Sequence, residues 1–326
     1  MTTAVDNAAG PPERIVSLVP AATEILAALG LTEALVGRSH ECDEPAAVAR
    51  LPALTAAAID AAGSSREIHE AVGTACTAAA GGTPALYRLD ASLLAQLRPD
   101  LIVTQAACDV CAVSADDVAR AARALGHPVP IVSLAPLSLA DLWRDILAMA
   151  AATGTLPLGR EVVARLRARC RSVACRVEAV ARSAGGPRPR VAVIEWLDPP
   201  MAAGNWVPEL VALAGGSDVL GNAGRHSHWI GWDDVARADP DVIILAPCGF
   251  TRDRTLLEAK TGAAWNVLAP LRATRTGRLF VVDGHHLLNR PGPRLVDSLE
   301  VLAQLLHPGL FTFPATDRHA VRLGSD

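Results

Sequence analysis

Short runs of branched and aliphatic residues recur along the chain, each giving way to a Gly, Pro or Asp turn and then to helical spacing. The runs are Ile15–Leu18, Leu101–Thr104, Ile131–Leu134, Val191–Ile194, Val242–Leu245 and Leu279–Val282. Strands apolar on both faces belong in parallel sheets covered by helices on each side. The pattern is therefore α/β. After the first run, Pro20–Gly30 predicts a helix with Thr23 as N-cap, Ile25, Leu26 and Leu29 facing inward and Gly30 as its stop.

That phrase returns. Thr23–Gly30 is echoed by Pro208–Gly215, 185 positions on, and Arg98–Thr104 is echoed by Asp239–Leu245, 141 positions on. Two echoes in the same order predict two related α/β lobes, the first carrying about 44 extra residues between Gly30 and Arg98. Between the lobes, Leu139, Leu142, Ile146, Met149, Val162, Leu166, Val173 and Val177 keep helical spacing, with breaks or kinks expected at Gly154, Pro157 and Gly159. The division expected is a disordered N-terminus over 1–12, an N-terminal lobe over 13–136, a linking helix over 137–187, a C-terminal lobe over 188–310 and a tail over 311–326. The last eight or so residues read as disordered from their polarity and position.

Charge narrows the partners. With 30 basic and 34 acidic residues the net charge is −4, which supplies no field for nucleic acid or an anionic membrane surface. Charged residues recur too often for any stretch of ~18 apolar residues, so no transmembrane segment is expected. The first basic residue is Arg14 and Pro11, Pro12 and Pro20 interrupt the start, which does not match a secretory signal; a cytoplasmic location is expected. In a reducing compartment the seven cysteines are thiols, metal ligands or redox groups before they are disulfides.

Ligands of open parallel sheets sit beyond the carboxyl ends of the strands, where the βα loops converge. Those loops hold Ser39-His40-Glu41-Cys42-Asp43, Gln105 with Cys108 and Cys111, Glu195-Trp196-Leu197-Asp198, Pro247-Cys248-Gly249 and Asp283-Gly284-His285-His286. Cys108 and Cys111 have the spacing of a metal-binding or redox pair, and equally of small apolar residues at a helix start. One pair is half a zinc site; His40 with Cys42, or Cys248, would complete a transition-metal set. His40–Asp43 also reads as a polar capping loop. Cys170 and Cys175, five apart, read as core or surface thiols. Trp196 and Trp206 flank turn-like segments, which favours a flat apolar binding surface over simple core. No dinucleotide fingerprint, Walker-type loop or nucleophile elbow is present in the sequence.

Several phrases together resemble one family: Arg14–Leu26, Val36–Asp43, Leu86–Asp90, Arg98–Gln105, Cys108–Ser114, Glu195–Pro200 and Arg290–Arg294. They are similar to the cobalamin-binding branch of the helical-backbone substrate-binding proteins, the receptors of cobalamin, haem and iron-siderophore importers. The likeness runs from Glu13 to Pro308. It implies two Rossmann-like lobes joined by a long helix, with ligand in the cleft between them. Carried over by position, Ser39, His40, Glu41, Tyr87, Gln105, Trp196, Trp206 and His285 border the ligand, and His40, Cys42, Cys108, Cys111 and Cys248 are the metal candidates. The function so implied is a non-catalytic intracellular binding protein for cobalamin or a related metal chelate, working with an ABC permease or a cytoplasmic acceptor. The alternatives are a Cys/His metal or iron-sulfur protein and a thiol-dependent enzyme acting on a chelated metal.

Overall fold

The computed structural model describes residues 10–79, 86–106 and 113–324. The chain divides into two compact units. The first comprises residues up to Gly63, Glu67–Pro136 and Ala140–Ala164; the second comprises Ser64–Arg66, Leu137–Leu139 and everything from Arg165 on.

In the first unit, four parallel strands lie in the order Leu35–Arg38, Ile15–Ser17, Leu101–Gln105, Ile131–Leu134. Val16, Leu18, Leu54, Leu94, Ile102 and Val118 pack into one core cluster there. A small antiparallel pair, Thr55–Ala57 with Tyr87–Leu89, stands apart from that sheet. In the second unit, Arg190–Leu197, Val242–Leu245 and Leu279–Val282 run parallel and in that order. Pro200–Ala202 and His228–Trp229 extend this sheet antiparallel on one side. The core here is built from Ile194, Leu197, Ile243, Leu245, Leu279, Val281 and Leu323.

The sequence echoes correspond to repeated structure. Helix Pro20–Ala28 and helix Val207–Leu213 end the same way, with Gly30 and Gly215 at φ +74° and +85°. Arg98 and Asp239, the other echo, are both left-handed C-caps, at φ 43° and 40°, each directly before a Pro-Asp pair. Asp100 then accepts the amides of Glu13 and Arg14 at 2.8 and 3.0 Å, and Asp241 accepts the amide of Arg190 at 2.7 Å. Each carboxylate thus ties the start of its unit's central strand to the strand beside it. The arginines repeat as well, since Arg14 donates to the Leu97 carbonyl and Arg190 to that of Ala238, both at 2.7 Å.

Three expectations are corrected. The first helix begins at Pro20, after Val19, and not at Thr23. Proline needs no amide partner and its fixed φ suits the first turn, so it starts the helix itself and leaves Thr23 inside. The helical segment breaks at Gly154, φ +71°, as expected, into Leu139–Ala152 and Leu156–Ala184, but it does not break or kink at Pro157 or Gly159. Pro157 is absorbed in a first turn. Gly159 permits close packing instead of a kink, because a Cβ there would lie 2.4 Å from that of Ala150. The C-terminal tail is structured: Pro314–His319 is helical, and Ala320–Arg322 pairs antiparallel with Leu279–Val282. Its polar composition hid a strand held by backbone hydrogen bonds, with Leu323 buried beside it.

No helix among the described residues is long and apolar enough to cross a membrane.

Candidate functional site

In the first unit, the loop after Leu35–Arg38 is fastened by its own chain. Arg38 donates to the carbonyls of Ser39, His40 and Ala49 at 2.9, 3.3 and 3.2 Å, and the Ser39 amide donates to the Ser17 carbonyl at 2.9 Å. This fixes His40. Its amide donates to Thr55 Oγ1 at 3.0 Å and its Nδ1 lies 2.7 Å from the same oxygen, while its Nε2 is 3.5 Å from Glu41 Oε1. Its ring centroid stands 5.7 Å from that of Tyr87. Burial and the nearby Arg38 lower the His40 pKa against the opposing pull of Glu41, so the imidazole is neutral at neutral pH and suited to a metal. Glu41, Tyr87 and Gln105 are half-buried.

Cys42 faces inward. It is 1% exposed, and its Sγ lies 3.0 Å from Thr23 Oγ1 and 3.2 Å from Ser39 Oγ; Thr23 Oγ1 is also 2.8 Å from Ser17 Oγ. The thiol expected to meet a metal lies against two hydroxyls, those of Thr23 and Ser39, an arrangement that spends its hydrogen-bonding capacity in the core. Ser39 is itself buried there. Cys108 and Cys111 lie outside the described residues.

In the second unit, the end of strand Arg190–Leu197 and loops 247–250 and 283–286 meet at the carboxyl ends of the three parallel strands; Glu195, Trp196 and Leu197 belong to the strand and not to the expected loop, because Trp196 and Leu197 pair with Met201 and Pro200. The Cys248 amide donates to the Glu195 carbonyl at 3.0 Å, and the His285 amide to that of Phe250 at 3.0 Å. Gly284 is required by this approach: a Cβ there would stand 2.1 Å from the Pro247 carbonyl oxygen. Half-buried Trp196 meets buried Phe250 edge-on at 5.3 Å, and Arg254 lies 3.6 Å over the Phe250 ring. Cys248 is half-buried, and His285 Nε2 is 2.9 Å from an Arg290 Nη2.

Trp206 is a core residue and not a ligand surface. It is 7% exposed, and its indole N–H donates to the Leu288 carbonyl at 2.7 Å. Its turn-like neighbours reflect the helix start at Val207, where Trp206 is the N-cap.

Several residues outside the expected set shape this edge. Glu195 is buried and bonded to the Ser227 hydroxyl; burial pushes its carboxyl up to about 7. Burial also raises Asp218, to about 6. Asp283 accepts the amides of His285 and His286 on Oδ1 at 3.0 and 2.8 Å, and its Oδ2 is 2.9 Å from His286 Nδ1. Burial opposes ionisation of Asp283, but hydrogen bonds with His286 and His319 outweigh it and hold the carboxyl far below its usual range. Of these, Asp283 and His286 stood in a visible Asp-Gly-His-His run; His319 was hidden in the supposed tail. Among the other thiols, Cys170 is buried and its pKa is pushed up to about 11 by burial, while Cys76 and Cys175 are exposed.

The geometry gives each unit a fixed, polar carboxyl edge, and comparison with known proteins agrees with this architecture. The periplasmic binding protein family model matches residues 15–284. No curated protein sequence matches the chain. Among solved structures, a periplasmic heme-binding protein from Pseudomonas aeruginosa is 22% identical with a TM-score of 0.70, over 96% of this chain and 99% of that one. The vitamin B12-binding protein BtuF of Vibrio cholerae is 21% identical with a TM-score of 0.64, over 91% and 98%. The heme-binding protein RhuT from Roseiflexus sp. RS-1 is 25% identical with a TM-score of 0.65, over 91% and 98%. With 270 consecutive positions accounted for, this chain belongs to the periplasmic binding protein family.

Proposed function

We propose that this chain is a non-catalytic receptor for cobalamin or a related corrinoid, held by the loops that follow the parallel strands. The observation that carries the reading is Trp196: a half-buried indole, braced edge-on by Phe250, whose N–H donates to the Ser65 carbonyl at 3.1 Å. A fixed aromatic face beside polar loops suits a large chelate, with the rings giving apolar contact and the polar groups setting its orientation. The sequence phrases around His40 and Cys108 support the corrinoid, as does the likeness to a B12-binding protein. Cys42 takes no part. An ABC permease or an acceptor protein is the partner this role requires.

Anaerobic titration of the reduced protein with aquacobalamin, followed by gel filtration, tests the reading. Stoichiometric retention is expected, and Trp196→Ala should weaken binding by at least about tenfold, in line with loss of a buried aromatic contact. Haem is the competing chelate, favoured by the neutral His40 imidazole and by two heme-binding structural relatives. A parallel titration with haemin separates the two. Retention of haemin alone would replace the corrinoid, and retention of neither would end the chelate reading.

A further inference from the structure

We propose that Asp283, His286 and His319 form a site for one divalent transition-metal ion in the second unit, independent of any chelate the chain carries. One ligand atom from each lies within 4.8 Å of the others. Asp283 Oδ2 is the hub, 2.9 Å from His286 Nδ1 and 3.5 Å from His319 Nδ1. At the ~2.0–2.1 Å metal–ligand distances of zinc, neighbouring ligand atoms stand about 3 to 3.5 Å apart, so these separations need little adjustment.

Two further features support an ion. Asp283 Oδ1 is occupied by two backbone amides, which lock the carboxylate with Oδ2 turned to the imidazoles. His319 is 8% exposed, and its buried Nδ1 meets nothing nearer than Asp283 Oδ2 at 3.5 Å, the outer limit of a hydrogen bond. A metal ion would give that buried nitrogen the close partner it otherwise lacks. The position is fixed from both sides, because the Asp283 amide donates to the His319 carbonyl at 2.8 Å where the last strand begins. Two imidazoles and one carboxylate form a nitrogen–oxygen set suited to Zn²⁺, Co²⁺ or Ni²⁺. On binding, the proton between His286 Nδ1 and Asp283 Oδ2 leaves to solvent and the ion takes its place. His286 is a quarter exposed, which gives the ion a route in.

The test uses the untagged, chelator-treated full chain with ZnCl₂ in equilibrium dialysis and CoCl₂ in visible spectroscopy, without corrinoid or haem. One ion per chain is expected, with a cobalt spectrum showing ligand-field bands and no thiolate charge transfer. His286→Ala and His319→Gln should each weaken binding at least about tenfold, since loss even of an outer-shell partner costs that much. The exposed-site control His127→Ala should bind as the parent does. Absence of saturable binding, a thiolate charge-transfer band, or unchanged affinity in His286→Ala would overturn the site. Should His319→Gln fail to fold, the quarter-exposed His286 variant decides.

Discussion

The two units share a corner and differ at the edge. Asp100 and Asp241 tie equivalent strands after equivalent left-handed residues, so the frame is repeated almost residue for residue. At the carboxyl ends the likeness stops. The first unit turns hydroxyls inward around a buried thiol, whereas the second gathers Glu195, Asp283, His285 and His286 at its strand ends and loops. Backbone corners preserve a fold through geometry that few residues satisfy, while loops beyond a strand end are free to change chemistry. The difference assigns stability to the corner and function to the edge.

The largest test of this division is in the two cores. Ile102→Ala in the first unit and Ile243→Ala in the second should each cost about 3 kcal/mol in chemical denaturation, as a buried methyl-rich side chain is lost. Amide-exchange protection should fall first in the altered unit; equal loss in both would dissolve the division.

Glu195 comes next, because burial at the second unit's edge sets a pH dependence opposite in sign to that of His40 in the first. Its carboxyl ionises near 4.5 in the unfolded chain and near 7 in the folded one. Between those values the native state holds more protons, so stability falls as pH rises, by on the order of 3 kcal/mol once ionisation is complete. Glu195→Gln should remove the largest single part of that slope in denaturation curves taken from pH 4.5 to 7, leaving the shares of Asp218 and Asp145, which burial also raises to about 6. A slope equal to the parent's would show that Glu195 is not the source.

The smallest effect sharpens the repeat itself. Asp100→Asn and Asp241→Asn should each cost about 1 kcal/mol, as one hydrogen-bonding oxygen is replaced at the same corner. Asp241 should cost slightly more, since it also meets Arg272 at 2.5 Å. Thermal denaturation of the pair compares them directly, and a cost at one corner only would break the equivalence.

The strands were legible because apolar runs such as Val242–Leu245 must be buried on both faces, and three of the six expected strands have the observed limits. The repeat was legible because its corner needs proline and aspartate at fixed places. Trp206 was misplaced because a helix N-cap and a ligand loop use the same turn residues. His40 was found from its neighbours in sequence, but its partner Thr55 lies on a separate strand 15 residues on, beyond the reach of any local pattern. Cys42 shows the limit most sharply: a thiol looks the same in sequence whether it points to solvent or to Thr23. The last strand was missed for a different reason, since three residues pairing through their backbone leave little trace in composition.

That last strand also bears on how the protein is handled. Ala320–Arg322 covers the outer edge of Leu279–Val282, a run of fully apolar residues with its own row of amides and carbonyls. A truncation at the end of the long helix Leu295–Leu306 would look harmless on a map of folded segments, yet it would strip that cover and leave an adhesive β-edge open to another chain. Expression designs that keep residues through Leu323 should stay dispersed where shorter ones clump.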